Sequence, residues 1–168
     1  MASSNRDTIS VNECQILAHY KYEAEQFIIT LACPEIANTT LPGQFVHLSV
    51  SGMLAMRRPI SVMSVDKTNG TFDLLYKIVG EGTRQLADRK IGDMLSVIGP
   101  IGNGFKMTDK KNPLLIGGGV GMPPIIAMAQ YIKDNNFYNP YVILGSEIPF
   151  PFKTIVSNLS GFYSSKLH

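Results

Sequence analysis

A chain of 168 residues has room for one full domain and part of a second, and its 45% apolar and 17% charged residues, with seven Tyr and eight Phe, supply a core and exclude a disordered composition. A net charge of +2, with no block of like charges, argues against nucleic acid as a partner and against a polybasic membrane anchor. No apolar run reaches the roughly 20 residues of a membrane span and the opening MASSNRDTIS is too polar for a signal peptide, so the sequence predicts a cytoplasmic protein.

In chain order, six β-rich runs fill the first hundred residues: ISVNECQILAHY, QFIITLAC, QFVHLSV, PISVMSV, TFDLLYKIV and MLSVIGP. Their period-two alternation, broken by turn residues, predicts an antiparallel barrel or sandwich. Pro42-Gly43 suits a type II turn, Asn69-Gly70 a tight hairpin, and Gly92-Asp93 opens the last strand. Cys14 and Cys33 lack any Cys-x-x-Cys spacing, so neither a disulfide framework nor a thiolate metal site is encoded and both are expected to pack as small apolar side chains. His19, His47 and His168 form no zinc-type cluster.

Two stretches of this β region carry chemistry. In MRRPISV, Pro59 confines its residue to a strand start or edge and so directs the Arg58 side chain. A guanidinium held there suits a diphosphate, and the Ser61 hydroxyl could reach a flat heterocycle laid over the strand. Solvated surface charges at Arg57 and Arg58, with Pro59 blunting an edge, explain the residues equally well. In GEGTRQLADRK, Thr83 is expected to cap one short helix over residues 84–89, whose orphan N–H groups form an anion site next to Gly80 and Gly82. A plain turn and cap would also account for that motif alone.

After Pro100 a glycine loop, IGNGF, leads into the polar KMTDKKN, a predicted boundary between domains at residues 1–108 and 109–168. PLLIGGGVGMPPIIAMAQYIKDNNF and YVILGSE then read as strand, turn, helix and strand, the order of a βαβ unit. The turn departs from G-x-G-x-x-G, since Met122 and Pro124 occupy the places of the last glycine. Gly118, Gly119 and Gly121 nevertheless allow a pyrophosphate to approach the helix start, where Pro123 and Pro124 are well tolerated. Glu147 is a candidate ribose ligand or an exposed loop carboxylate, and the segment beyond it has no sustained period.

Taken in order, RPIS, LLYKIVGEGT, GPIGNGF and PLLIGGGVGMPP resemble the ferredoxin reductase-like flavoproteins over roughly residues 9–147, and within them the electron-transfer subunits of two-component dihydroorotate dehydrogenases. The resemblance implies a Greek-key flavin-binding β-barrel followed by a partial α/β nucleotide-binding domain. It places Arg58 at the FAD pyrophosphate, Ser61 near the flavin's reactive edge, and Pro59 and Ile60 in backbone and van der Waals contact. Leu75, Tyr76 and Lys77 would lie along the cofactor, Gly82 and Thr83 would donate to its phosphates, and Gly118, Gly119 and Gly121 would take NADH. Ile60 stands where the wider superfamily has tyrosine. The implied function is an FAD-dependent NAD(P)H oxidoreductase component of pyrimidine biosynthesis, with the dihydroorotate dehydrogenase catalytic subunit as partner, a homo-oligomer possible, and no side chain acting as acid, base or nucleophile. The alternatives are an FAD-binding docking module without NADH turnover and a flavin reductase serving another acceptor. The family's cysteine cluster for a [2Fe-2S] centre has no counterpart, because Cys14 and Cys33 are the only cysteines. A fragment, a shortened product, or a chain completed by another molecule would each explain the short second domain.

Overall fold

Six strands close into an antiparallel barrel in the computed structural model, which describes residues 9–50, 56–133 and 136–151. They are β1 (Ser10–Lys21), β2 (Gln26–Ala32), β3 (Phe45–Ser49), β4 (Arg58–Asp66), β5 (Thr71–Lys77) and β6 (Met94–Ile101), hydrogen-bonded in the order β1-β2-β5-β4-β3-β6. Placing β2 beside β5, after the consecutive β3, β4 and β5, is Greek-key connectivity, and closure removes the exposed edges of an open sheet. Alternate residues turn inward: Ile29 and Leu31, Val46 and Leu48, Ile60 and Val62, Phe72 and Leu74, and Leu95 and Val97 form one core. Each such side chain, once buried, contributes about 1.5–3 kcal/mol, so the barrel is the stable part of the molecule. In the β4–β5 hairpin Gly70 has φ +65 and lies so close to Pro34 that a Cβ would stand 2.8 Å from its Cγ, which leaves glycine as the residue that fits.

Two short helices accompany the barrel where one was expected. Helix α1 (Pro34–Thr39) starts on a proline and buries Ile36 and Ala37. Helix α2 (Glu81–Ala87) begins earlier than residues 84–89, with Gly80 and not Thr83 as its N-cap. The Thr83 hydroxyl reaches back to accept from the N–H groups of Val79 at 3.0 Å and Gly80 at 3.2 Å, so it closes the first turn from within. Cys14 and Cys33, at 0% and 2% exposure, are core residues, and burial pushes both thiol pKa values up.

The second unit is a parallel pair, β7 (Leu114–Gly118) and β8 (Tyr141–Gly145), joined by helix α3 (Met122–Lys133). Helix α3 buries Met122, Ala127, Met128 and Ile132, and it also packs against β4. The other face of the pair leaves Leu114, Ile116, Tyr141 and Ile143 about half exposed. Past β8 the chain returns to the barrel, where the Pro149 carbonyl accepts from the Gln26 side-chain amide at 2.8 Å. Glu147 is exposed in this connection, as an ordinary loop carboxylate would be. Among the described residues no helix is long and apolar enough to cross a membrane.

Candidate functional site

The barrel has a fork in it. Strands β4 and β5 pair from Asp66 opposite Thr71 to Val62 opposite Leu74, with an irregularity between Val62 and Ser64 that bends β4 as it leaves. Beyond that point β4 stays paired only with β3, from Ser61 opposite Phe45 to Arg58 opposite Leu48. Likewise β5 stays paired only with β2, from Leu75 opposite Ile28 to Lys77 opposite Gln26. The two lips of the fork, residues 58–61 and 75–77, therefore face each other without a ladder between them. Backbone N–H and C=O groups along such lips require partners, so the seam can receive an extended polar molecule. Below it, the Asp73 carboxylate accepts from the hydroxyls of Thr30, at 2.6 Å, and Ser64, which pins the point of divergence.

The paired arginines divide the work. Arg57 donates to the carbonyl of Ser96 at 2.8 Å and to its hydroxyl at 3.0 Å, so it staples the β4 entrance to β6. Arg58 donates only to the Met56 carbonyl, at 3.0 Å, and has no carboxylate partner among the described residues. Its guanidinium packs against the first turn of α2: a Cβ on Gly82 would fall 1.7 Å from Nε. Sequence separates RPIS from GEGT, yet the fold brings the cation and the helix start into direct contact at one end of the seam. Orphan N–H groups of a first helical turn beside an unpaired guanidinium form an anion cradle, and together with the seam they fit a diphosphate joined to a flat ring system.

The other expected residues are distributed as follows. Pro59 is exposed on the β4 lip, and Ser61 is half-buried there with no hydrogen-bond partner for its hydroxyl among the described residues. Ile60, at 7% exposure, turns into the core. On the opposite lip Leu75 is buried and Lys77 exposed, while the Tyr76 ring turns inward to stack on Phe27 at 5.3 Å between centroids. The Tyr76 hydroxyl meets His19 Nε2 at 2.8 Å, and burial, reinforced by the nearby Asp88 carboxylate, pushes the phenol pKa up. Thr83, with its hydroxyl committed to the turn, has its backbone N–H to offer.

In the second unit Gly119 (φ +52) and Gly121 have no atom within 4 Å of where a Cβ would stand, and Gly118 has its first neighbour at 3.7 Å, so the space over this turn is open. Gly117, which was not singled out, is the tight position: a Cβ there would meet Ile125 Cγ1 at 3.0 Å. The bond from Gln26 to Pro149 brings the chain leaving β8 to the rung where Gln26 pairs with Lys77, at the open end of β5. Gln26 and His19 were also missed, being single polar residues on otherwise ordinary strands. No group of three metal-ligating side chains occurs among the described residues.

Residues 14–105 match the family described as Oxidoreductase FAD-binding domain. Over 94 residues the chain is 45% identical to proteins named dihydroorotate dehydrogenase B (NAD(+)), electron transfer subunit, from Bacillus cereus and Bacillus anthracis, which covers 53% of this chain and 36% of each relative. The match thus spans little more than a third of those relatives' length. Among solved structures, an NADH-dependent reduced ferredoxin-NADP oxidoreductase superposes with TM-score 0.74 at 27% identity, covering 89% of this chain and 51% of that one. A ferredoxin reductase of carbazole 1,9a-dioxygenase gives 0.73 at 27% identity, covering 84% and 45% respectively.

Proposed function

Since the chain belongs to the FAD-binding domain family of oxidoreductases, we propose that it carries electrons from NADH through FAD to a protein partner, as a dihydroorotate dehydrogenase electron-transfer subunit would. The observation that carries this reading is the Arg58 guanidinium resting on Gly82 at the end of the open seam. FAD, when bound, supplies the redox chemistry; the chain binds and orients it. Arg58 and the backbone of Gly82 and Thr83 hold the diphosphate, and Pro59, Ile60 and Ser61 line one lip with the Ser61 hydroxyl free to meet the ring system. Leu75, Tyr76 and Lys77 form the other lip, mainly through backbone. In this reading residues 1–108 carry FAD and residues 109–168 contribute the nicotinamide side, with the open turn at Gly118, Gly119 and Gly121 taking the NADH pyrophosphate. The relatives' name, electron transfer subunit of a dihydroorotate dehydrogenase, supports the catalytic subunit of such an enzyme as the partner; in this reading both work in the cytoplasm.

The test is a visible spectrum of the purified chain with added FAD, before and after NADH. Uptake of FAD that Arg58→Ala abolishes, followed by bleaching on addition of NADH, supports the reading; a chain that takes up no FAD, or an Arg58→Ala variant that titrates like the wild type, refutes it. A second reading, an FAD-binding docking module without NADH turnover, is favoured by the bare apolar face of β7 and β8. Saturable NADH oxidation with an artificial acceptor would exclude that module.

A further inference from the structure

His19, on β1, is the one imidazole among the described residues that bridges β5 and the chain leaving α2. Its Nδ1 is 2.9 Å from the carbonyl oxygen of Arg89, just beyond α2, and its Nε2 is 2.8 Å from the hydroxyl of Tyr76, on the free end of β5. A carbonyl can only accept, so Nδ1 carries the proton. The ring's lone pair is then at Nε2 and the Tyr76 hydroxyl donates to it. The neutral Nδ1–H tautomer is the arrangement that satisfies both bonds.

Both tethered elements need an anchor. Beyond Leu74 the strand β5 has β2 as its single neighbour, and α2 has only seven residues, too few to hold its orientation by helix propensity. The first turn of α2 meets Arg58, so the angle of that helix to β5 sets the width of the cradle. We propose that His19 is a positioning residue for the cofactor: its neutral imidazole indexes β5 and α2 to one another, and its protonation loosens the cofactor's hold. This rests on the FAD reading above.

Protonation puts a hydrogen on Nε2, and the Tyr76 hydroxyl must turn from donating to accepting. Its own proton is then left in a side chain 6% exposed, with no other acceptor in contact among the described residues. The charged groups facing the imidazole across the adjoining cleft are Lys21 from β1, Glu25 from the β1–β2 turn, Arg84 and Asp88 from α2 and its end, and Arg89 and Lys90 beyond it.

The experiment is FAD affinity of the full chain by fluorescence titration at pH 7.5 and 5.5, for wild type, His19→Asn and His19→Gln. The wild type is expected to bind about fivefold more weakly at pH 5.5, the worth of one hydrogen bond. His19→Asn, whose amide keeps the bond to the Arg89 carbonyl and loses Tyr76, is expected to bind more weakly at pH 7.5 and to show no pH dependence; His19→Gln, able to accept from Tyr76, is expected to recover part of the affinity. Equal wild-type affinity at the two pH values, with binding still dependent on Arg58, overturns the role of His19 and leaves the FAD reading standing. A pH dependence that persists in His19→Asn overturns it as well. No FAD uptake by the wild type at pH 7.5 overturns both. Nitrogen chemical shifts of the imidazole report the tautomer without any substitution, and an Nε2–H ring at pH 7.5 contradicts the proposal directly.

Discussion

Gly82→Ala should separate stability from cofactor binding. The added Cβ would lie 1.7 Å from Arg58 Nε, 2.5 Å from Cζ and 2.6 Å from Nη2, and all three atoms belong to the far end of one flexible side chain. Relief is therefore cheap for the fold, because Arg58 swings aside and gives up only its bond to the Met56 carbonyl. Alanine meanwhile improves on glycine in a helix by about 1 kcal/mol, so the melting temperature should hold or rise by about 2–4 °C. The cradle fares differently. Displacing the guanidinium removes a charge-assisted hydrogen bond worth about 1.5–3 kcal/mol, which is about 10- to 150-fold in FAD affinity. Fluorescence titration beside a thermal melt measures both quantities. An affinity within about twofold of wild type, or a melting temperature that falls by several degrees, would refute the reasoning. In an Arg58→Ala background the same substitution should add little, because the two changes remove one interaction.

Arg57→Ala should do the reverse: losing the two bonds to Ser96 costs about 1–3 kcal/mol in a urea melt, while FAD affinity changes less than for Arg58→Ala. Cys14 and Cys33 should stay unreactive toward an aromatic disulfide reagent at pH 8 until denaturant is added, since both are buried and their thiols are held protonated; rapid labelling of the native chain would contradict this. Stability should fall on the alkaline side. Burial holds Cys14, Cys33 and Tyr76 protonated in the fold, whereas the unfolded chain ionises them near their ordinary values of about 8.5 and 10. Their contribution is thus complete below about pH 8.5 and lost as pH rises. Urea midpoints unchanged between pH 7.5 and 10.5 would show the assignment to be wrong.

The strands were legible because a half-buried strand writes its burial into alternate residues, and the runs around Ile29, Val46, Leu74 and Val97 do so plainly. The same parity puts Ile60 with Val62 and Tyr76 with Leu74, so the inward turn of both side chains could have been read from their neighbours. Pairing is another matter. Which strand lies beside β5, and where β4 leaves it, depends on contacts far apart in the chain, so the fork was invisible. Arg58 was singled out through Pro59, but the role of Arg57 was invisible, because its partner Ser96 lies on a distant strand. Cys14 and Cys33 looked unrelated for the same reason: the antiparallel register that puts Gln15 opposite Ala32 makes them neighbours. Helix α2 was misplaced at its start because Gly80 has no side chain to announce a cap, whereas Thr83 looks like one. His19 offered no local signal, as both its bonds go to residues remote in sequence.

A cylinder with one stitch left open invites a guest to finish the sewing. Each lip of the β4–β5 gap is already straight, because a neighbouring strand holds its outer side, so little disorder has to be surrendered when a ligand settles along it. Before that happens the amides of Leu75 and Lys77, which alternate with the positions bonded to β2 and so turn toward the gap, are the least guarded of the strand, and they should trade hydrogen for deuterium soonest. A bound coenzyme would then work as a missing rung, knitting the wall shut and slowing that exchange.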